Sequence, residues 1–211
     1  MSKVRQLIER LDEAGTFQRF AKASERYGDD LEQSWAESED GGGLLWLAAE
    51  VGVDPKRIFA AECDLLEAVV KQVEIVGQET ISILEAVRAW EKGEQSAHEV
   101  QRLGAEVYEL IESPDENDLG VPWMDDVTNA AVWLTNCAEG GEPFPEGEWE
   151  FVDRLAHALT LHGGWGIDTD PPDGYQRSYD AAMRRFASIV RGQITGVQVK
   201  VAAQQSGVWP L

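Results

Sequence analysis

The chain has 211 residues, 43% of them hydrophobic, and eight tryptophans, and its 39 acidic and 18 basic residues give a formal net charge of −21. This length and hydrophobic content support a folded core and argue against an acidic disordered tail. The negative charge argues against binding to nucleic acid or to anionic membrane surfaces, since both repel it.

Neither a membrane segment nor a secretory leader is visible in the sequence. No stretch approaches the roughly 18 consecutive apolar residues of a transmembrane helix. The first fifteen residues alternate charged and apolar side chains and lack the apolar centre of a signal peptide. Cys63 and Cys137 lie inside apolar helical patterns, which favours two reduced thiols over a disulfide framework. We therefore expect a cytoplasmic protein with no membrane partner.

Helical periodicity dominates the first half of the chain. A first helix follows the apolar stripe at 4–11, Thr16 is placed to cap a second helix to Tyr27, and Asp29 or Asp30 to start a third. Gly41-Gly42-Gly43 is expected to break the chain before a short apolar helix at 44–51. Asp54-Pro55 is a strong start signal for a long helix to about Val76.

The second half continues the helical pattern. Gly77 separates the long helix from one that reaches Trp90, with Lys92-Gly93 as its predicted C-terminal cap. Ser96 with Glu99 forms a capping box for the next helix, which is predicted to end at Ser113-Pro114. Asp125 and Asp126 are expected to head another helix. The segment 139–147 reads as a loop. Further helices are predicted at 148–162, 175–191 and 195–204, although 194–201 alternates enough for a short strand.

The predicted fold class is an all-α bundle of about nine to eleven helices. Two helical half-domains, 1–113 and 114–211, could meet near 113–124, and one domain over 1–211 is the alternative. The sequence from Trp90 to Val100 resembles that from Ile189 to Val199, an offset of 99 residues that is typical either of a duplication or of any tight helix–helix turn.

The acidic residues are segregated from the basic ones. Residues 103–153 contain 14 acids and no Lys or Arg, and residues 27–55 contain another 8 acids and no base. Clustering of like charge opposes a compact fold, so it favours a surface that meets a basic partner. Aromatic rings beside carboxylates suit such a contact. The predicted partner-binding residues are Glu37, Glu39, Asp40, Asp115, Glu116, Asp118, Trp123, Asp125, Asp126, Glu146, Glu148, Trp149 and Glu150.

Signals for catalysis are weaker. His157 shares a helical face with Glu150 and Asp153, but it lies about 140° around the helix from His162, which disfavours a shared metal. Asp168 to Gly174 departs from a calcium loop through its prolines and spacing. The acids of two helices offer only part of the magnesium set of all-α nucleotide pyrophosphohydrolases: Glu62, Glu67, Glu74, Glu106, Glu109 and Glu112. No nucleophile elbow or phosphate loop is present. We expect no enzyme activity, cofactor or metal, with a helical metal-dependent hydrolase of a phosphorylated small molecule as the alternative.

Three apolar motifs between residues 35 and 110 carry a family resemblance. They are Leu44-Leu-Trp46-Leu-Ala-Ala, then Asp54-Pro55 opening a helix with Ala60-Ala-Glu-Cys63, and Ala86-Val-Arg-Ala-Trp90-Glu-Lys-Gly93-Glu. This region resembles immunity proteins of bacterial polymorphic toxin systems, although the following helix has few alanines and the half after Ser113 shows no resemblance. The resemblance implies an all-α protein that neutralises a cognate toxin by binding it. A homodimer, or an acidic self-associating scaffold, is also compatible with the sequence.

Overall fold

The computed structural model describes residues 1–12, 15–73, 77–112, 122–138, 145–163 and 172–210. Over those ranges the chain forms eleven α-helices and one 3-10 turn (Glu25–Tyr27), and none of it forms a strand, which confirms the predicted all-α class. The helices are α1 (Lys3–Leu11), α2 (Gln18–Ser24), α3 (Leu31–Glu37), α4 (Gly41–Glu50), α5 (Pro55–Val73), α6 (Gln78–Glu91), α7 (Ala97–Glu112), α8 (Pro122–Cys137), α9 (Pro145–His162), α10 (Pro172–Gln193) and α11 (Gly196–Gln205).

The chain divides into two compact units. Unit 1 contains residues 1–61, 143–149 and 183–211, and unit 2 contains residues 62–142 and 150–182. Each unit therefore includes residues from both sides of position 113. The predicted meeting point of two sequence halves falls mainly on 113–121, outside the described residues, so that division stays a prediction.

In unit 1 the glycines before Leu44 do not break the chain, and the predicted break is wrong. Asp40 caps α4 by accepting a hydrogen bond from the Gly43 amide at 2.8 Å, so the helix begins at Gly41 and includes all three glycines. A Cβ at Gly41 would lie 2.6 Å from Cβ of Phe186, and one at Gly43 would lie 2.7 Å from the Phe20 ring. The glycines are needed for close approach of neighbouring side chains.

The start of α2 also differs from the prediction. Thr16 does not cap this helix: the N-cap residue is Phe17, which makes no side-chain capping bond, and the amides of Thr16 and Phe17 donate to the carboxylate of Asp12 at 2.8 and 2.6 Å. The predicted start of the third helix is confirmed, since Asp30 accepts from the Gln33 amide as the N-cap of α3.

Two polar contacts in the same unit join α3 to α11 and to the residues just before it. The indole Nε1 of Trp35 donates to the carbonyl of Ile194 at 2.9 Å, and Lys200 forms an ion pair with Glu32 at 2.8 Å. Thr195 and Gln198 cap α11 reciprocally, so residues 196–201 lie in a helix and the alternative of a strand at 194–201 is wrong.

In unit 2 the predicted turn between α6 and α7 is confirmed. Gly93 has φ +76° and closes α6, while Ser96 and Glu99 exchange backbone and side-chain hydrogen bonds at the start of α7. The corresponding Gly192 lies inside α10, so the two turns that resemble each other in sequence differ in structure.

The start of α8 determines the position of the acids considered below. Helix α8 packs against α6 and α7, and it begins at Pro122 rather than at the aspartates, so that Asp125 lies in its first turn. Both cysteines are free thiols, Cys63 buried and Cys137 half-buried. Among the described residues no helix combines the length and hydrophobicity needed to cross a lipid bilayer.

Candidate functional site

The charge of the molecule is concentrated in one unit. The stretches that make up unit 2 contain 25 acidic and 6 basic residues, a formal charge of −19, whereas those of unit 1 contain 14 acidic and 12 basic residues, a charge of −2. The basic-free stretch at 27–55 belongs to unit 1, where bases from other segments balance it. A surface for a basic partner is therefore to be sought in unit 2 first.

The predicted residues of unit 1 have differing degrees of exposure. Glu37 and Glu39 are exposed, and Glu37 accepts a hydrogen bond from Gln33 within α3. Asp40 is half-buried at the start of α4. Glu148 is only 1% exposed, so its carboxylate is not on the surface.

Trp149 is half-buried beside α4. Its ring meets Phe17 edge-on at 6.0 Å between centroids, and a Cβ at Gly42 would lie 2.9 Å from its Cδ1. The aromatic ring that the sequence assigned to a partner is thus engaged in packing inside unit 1. The side chain of Glu146 and residues Asp115, Glu116 and Asp118 lie outside what the structure describes.

Four of the predicted residues of unit 2 lie on α8 and α9. Asp125 is exposed, Asp126 is half-buried, and Glu150 is exposed one helix away. Trp123 in the first turn of α8 meets His162 at the end of α9, with ring centroids 5.0 Å apart and nearly perpendicular. This ring contact joins the start of α8 to the end of α9.

The central contact is a histidine–aspartate pair. Nδ1 of His157 on α9 lies 2.6 Å from Oδ2 of Asp126 on α8, a hydrogen bond in which the ring nitrogen donates when the carboxylate is ionised. The side chains are 29% and 17% exposed, so solvent reaches both. The second ring nitrogen of His157 makes no hydrogen bond to any part of the chain that the structure describes. The carboxylate partner of this histidine is therefore Asp126, and not Glu150 or Asp153 of its own helix.

Two tyrosines from α10 complete the cluster. The Tyr175 ring stacks on the Tyr179 ring at 6.3 Å and lies 6.1 Å from the His157 ring. The Tyr179 hydroxyl donates to Asp153 of α9, while the Tyr175 hydroxyl has no hydrogen-bond partner within the described ranges. Three helices thus supply one group of rings and carboxylates, which we call the α8–α10 niche: Asp126, Asp153, His157, Tyr175 and Tyr179.

An internal arginine lies at the edge of the niche. Arg154 is the sole Lys or Arg between Arg102 and Arg177 in the sequence. One of its terminal nitrogens donates to Glu150 at 2.7 Å, and the other lies 3.9 Å from Oδ1 of Asp126. A guanidinium group is therefore already held at the rim by the acids of α8 and α9.

Burial perturbs the groups of the niche. It raises the pKa of the Asp126 carboxyl, against the opposing effect of the hydrogen bond from His157. It also raises the pKa of the Tyr175 phenol, and the charges of Asp153 and Asp126 act in the same direction. Tyr175 therefore stays a neutral hydrogen-bond donor at physiological pH, and carboxylates lie near enough to affect its ionisation.

The structure gives little support to the metal sites considered in the sequence analysis. Within the described ranges no group of three or more His, Cys, Asp or Glu side chains is arranged to hold a metal ion. Glu67 is engaged by Lys71 and Arg88, and Glu62 is buried and accepts from Trp133. Residues 168–171 of the calcium-like segment, Glu74 and the side chain of Glu112 lie outside the described part.

The structure places against His157 and Asp153 two residues that the sequence did not single out, Tyr175 and Tyr179. Their spacing of four residues puts both rings on one face of α10, which is the signal that could have paired them. It could not have shown that this face meets α9.

Comparison of the chain with protein-family models, curated proteins and solved structures found no match.

Proposed function

We propose that this protein is a cytoplasmic protein–protein inhibitor, an immunity protein that binds a basic domain of a cognate toxin and occludes it. The observation that carries the proposal is the charge of unit 2, 25 acids against 6 bases, beside a nearly neutral unit 1. A fold gains nothing from such local repulsion, whereas a basic partner would be attracted by it.

The mechanism we propose is occlusion with electrostatic steering. The carboxylates of unit 2 would occupy positions on the toxin that otherwise bind phosphates, which makes a nuclease the class of toxin best suited to this surface. Long-range attraction would speed the encounter, and the association rate should fall as salt screens it.

The test is a pull-down with the purified protein against proteins of its own source, followed by stopped-flow kinetics with the captured partner. We expect a basic partner whose association slows with NaCl. Reversing two exposed charges of unit 2, Asp125→Lys with Glu109→Lys, should slow association roughly tenfold. Reversing Glu37 and Glu39 is the comparison: the sequence also predicts these two as partner-binding residues, but they lie in the nearly neutral unit 1 and should change the rate less.

Equal slowing by both pairs would count against unit 2 as the binding unit. Capture of a partner that binds independently of salt, and whose activity this protein does not inhibit, would overturn the proposal as a whole. Turnover of a phosphorylated small molecule with added Mg²⁺ would instead establish the metal-dependent hydrolase, and self-association without a partner would establish the scaffold.

A further inference from the structure

We propose that the α8–α10 niche binds an arginine side chain of the basic partner. This inference rests on the proposed function and names the group that the acidic unit recognises. Its elements are the ring faces of His157 and Tyr175 and the carboxylates of Asp126 and Asp153.

The rings offer faces for a planar cation. The centroids of His157 and Tyr175 are 6.1 Å apart with the ring planes tilted by 60°, and Tyr179 extends the aromatic surface along α10. Guanidinium groups stack on aromatic faces, and the attraction grows as water is displaced. The niche therefore suits a flat cation better than a compact one.

The polar groups around the rings match the donors of a guanidinium. Asp126 lends one oxygen to His157, and its other oxygen, Oδ1, lies 3.9 Å from Arg154. Asp153 accepts from Tyr179 through Oδ1. Each carboxylate therefore has one oxygen outside these two contacts, and the several N–H groups of a guanidinium can donate to separate carboxylates, which a compact ammonium group does less well.

Arg154 shows that the carboxylates at the edge of the niche can hold a guanidinium group. It places a guanidinium between Glu150 and Asp126, at 2.7 and 3.9 Å, with its side chain 39% exposed. An arginine of the partner would be repelled by the charge of Arg154 and would compete with it for the carboxylate of Asp126. Arg154 is thus an internal competitor, and its removal should strengthen binding.

The test uses two fluorescent peptides of equal length and charge, one of arginine and glycine and the other of lysine and glycine. Their affinities for the full chain are measured by anisotropy across a range of NaCl concentrations. Both should bind in a salt-dependent manner because unit 2 attracts cations. The arginine peptide should bind at least about threefold tighter because of ring stacking.

Variants locate this preference. Tyr175→Leu and Asp126→Asn should abolish it while leaving the salt-dependent binding that both peptides share. Tyr108→Leu, at an exposed tyrosine of α7, and Glu85→Gln, at an exposed acid of α6, are the matched controls and should keep it. Arg154→Gln should strengthen arginine binding more than lysine binding, whereas Arg102→Gln should affect both alike.

The outcomes separate the two proposals. Equal affinity of both peptides for the wild-type protein, or a preference that survives Tyr175→Leu in a folded variant, overturns the niche and leaves the acidic inhibitor standing. Absence of salt-dependent binding of either peptide overturns both. Because the wild-type comparison and Arg154→Gln need no change inside the niche, loss of folding in another variant does not block the test.

Discussion

At the level of single residues, Gly41 illustrates why a glycine can be required within a helix. A Cβ there would lie 2.6 Å from Cβ of Phe186 and 2.8 Å from the backbone nitrogen of Ala187, which cannot rotate away. We expect Gly41→Ala to lower the free energy of unfolding by about 1–3 kcal/mol through overpacking. Urea denaturation monitored by circular dichroism measures the change.

The control for this prediction is Gly192→Ala. Gly192 is a helical glycine of α10, and a Cβ added there would meet no atom within 4 Å, so alanine should raise the free energy of unfolding by about 0.5–1 kcal/mol. A similar stabilisation from both substitutions would show that packing does not require a glycine at position 41.

At the level of elements, the structure separates local signals from distant ones. The caps at Asp30, Ser96 and Thr195 could be predicted because each side chain bonds to a backbone group three residues away. The partner of His157 lies 31 residues away on another helix, and no periodicity of α9 indicates it. The charge pattern of the sequence identified the candidate acids. Their contacts with the aromatic side chains depend on how α8, α9 and α10 pack, which the sequence does not show.

Arg88 joins two helices of unit 2. It is 23% exposed and binds Asp64 at 2.6 Å and Glu67 at 3.1 Å on α5, besides Glu91 on its own helix. We expect Arg88→Met to cost on the order of 1–2 kcal/mol of unfolding free energy, because charged hydrogen bonds between α5 and α6 are lost. Arg102→Met is the matched control, since its pair with Glu106 is exposed and should contribute under about 0.5 kcal/mol.

The loss of unfolding free energy in Arg88→Met should depend on pH, because Arg88 binds the titratable carboxylate of Glu67. Hydrogen bonds from Lys71 and then Arg88 lower the pKa of Glu67 in the folded protein. The stabilisation is complete above the pKa of an unfolded glutamate and is lost as pH falls through the lowered value. The difference between wild type and Arg88→Met should therefore shrink in acid, as urea titrations across that range would show. A constant difference would mean that Arg88 acts by packing alone.

At the level of the whole molecule, unequal charge makes a prediction that needs no partner. The acids of unit 2 repel one another, so added NaCl should raise the free energy of unfolding of the isolated protein. Replacing exposed acids of that unit, Glu85→Lys with Glu109→Lys, should stabilise it at low salt and reduce the salt response. Glu37→Lys with Glu39→Lys in the nearly neutral unit 1 should do so less. Urea denaturation at low and high NaCl distinguishes these pairs, and an equal response would place the repulsion across the whole chain. Binding of a basic partner must show the opposite salt dependence, because the same carboxylates that destabilise the free protein attract the partner.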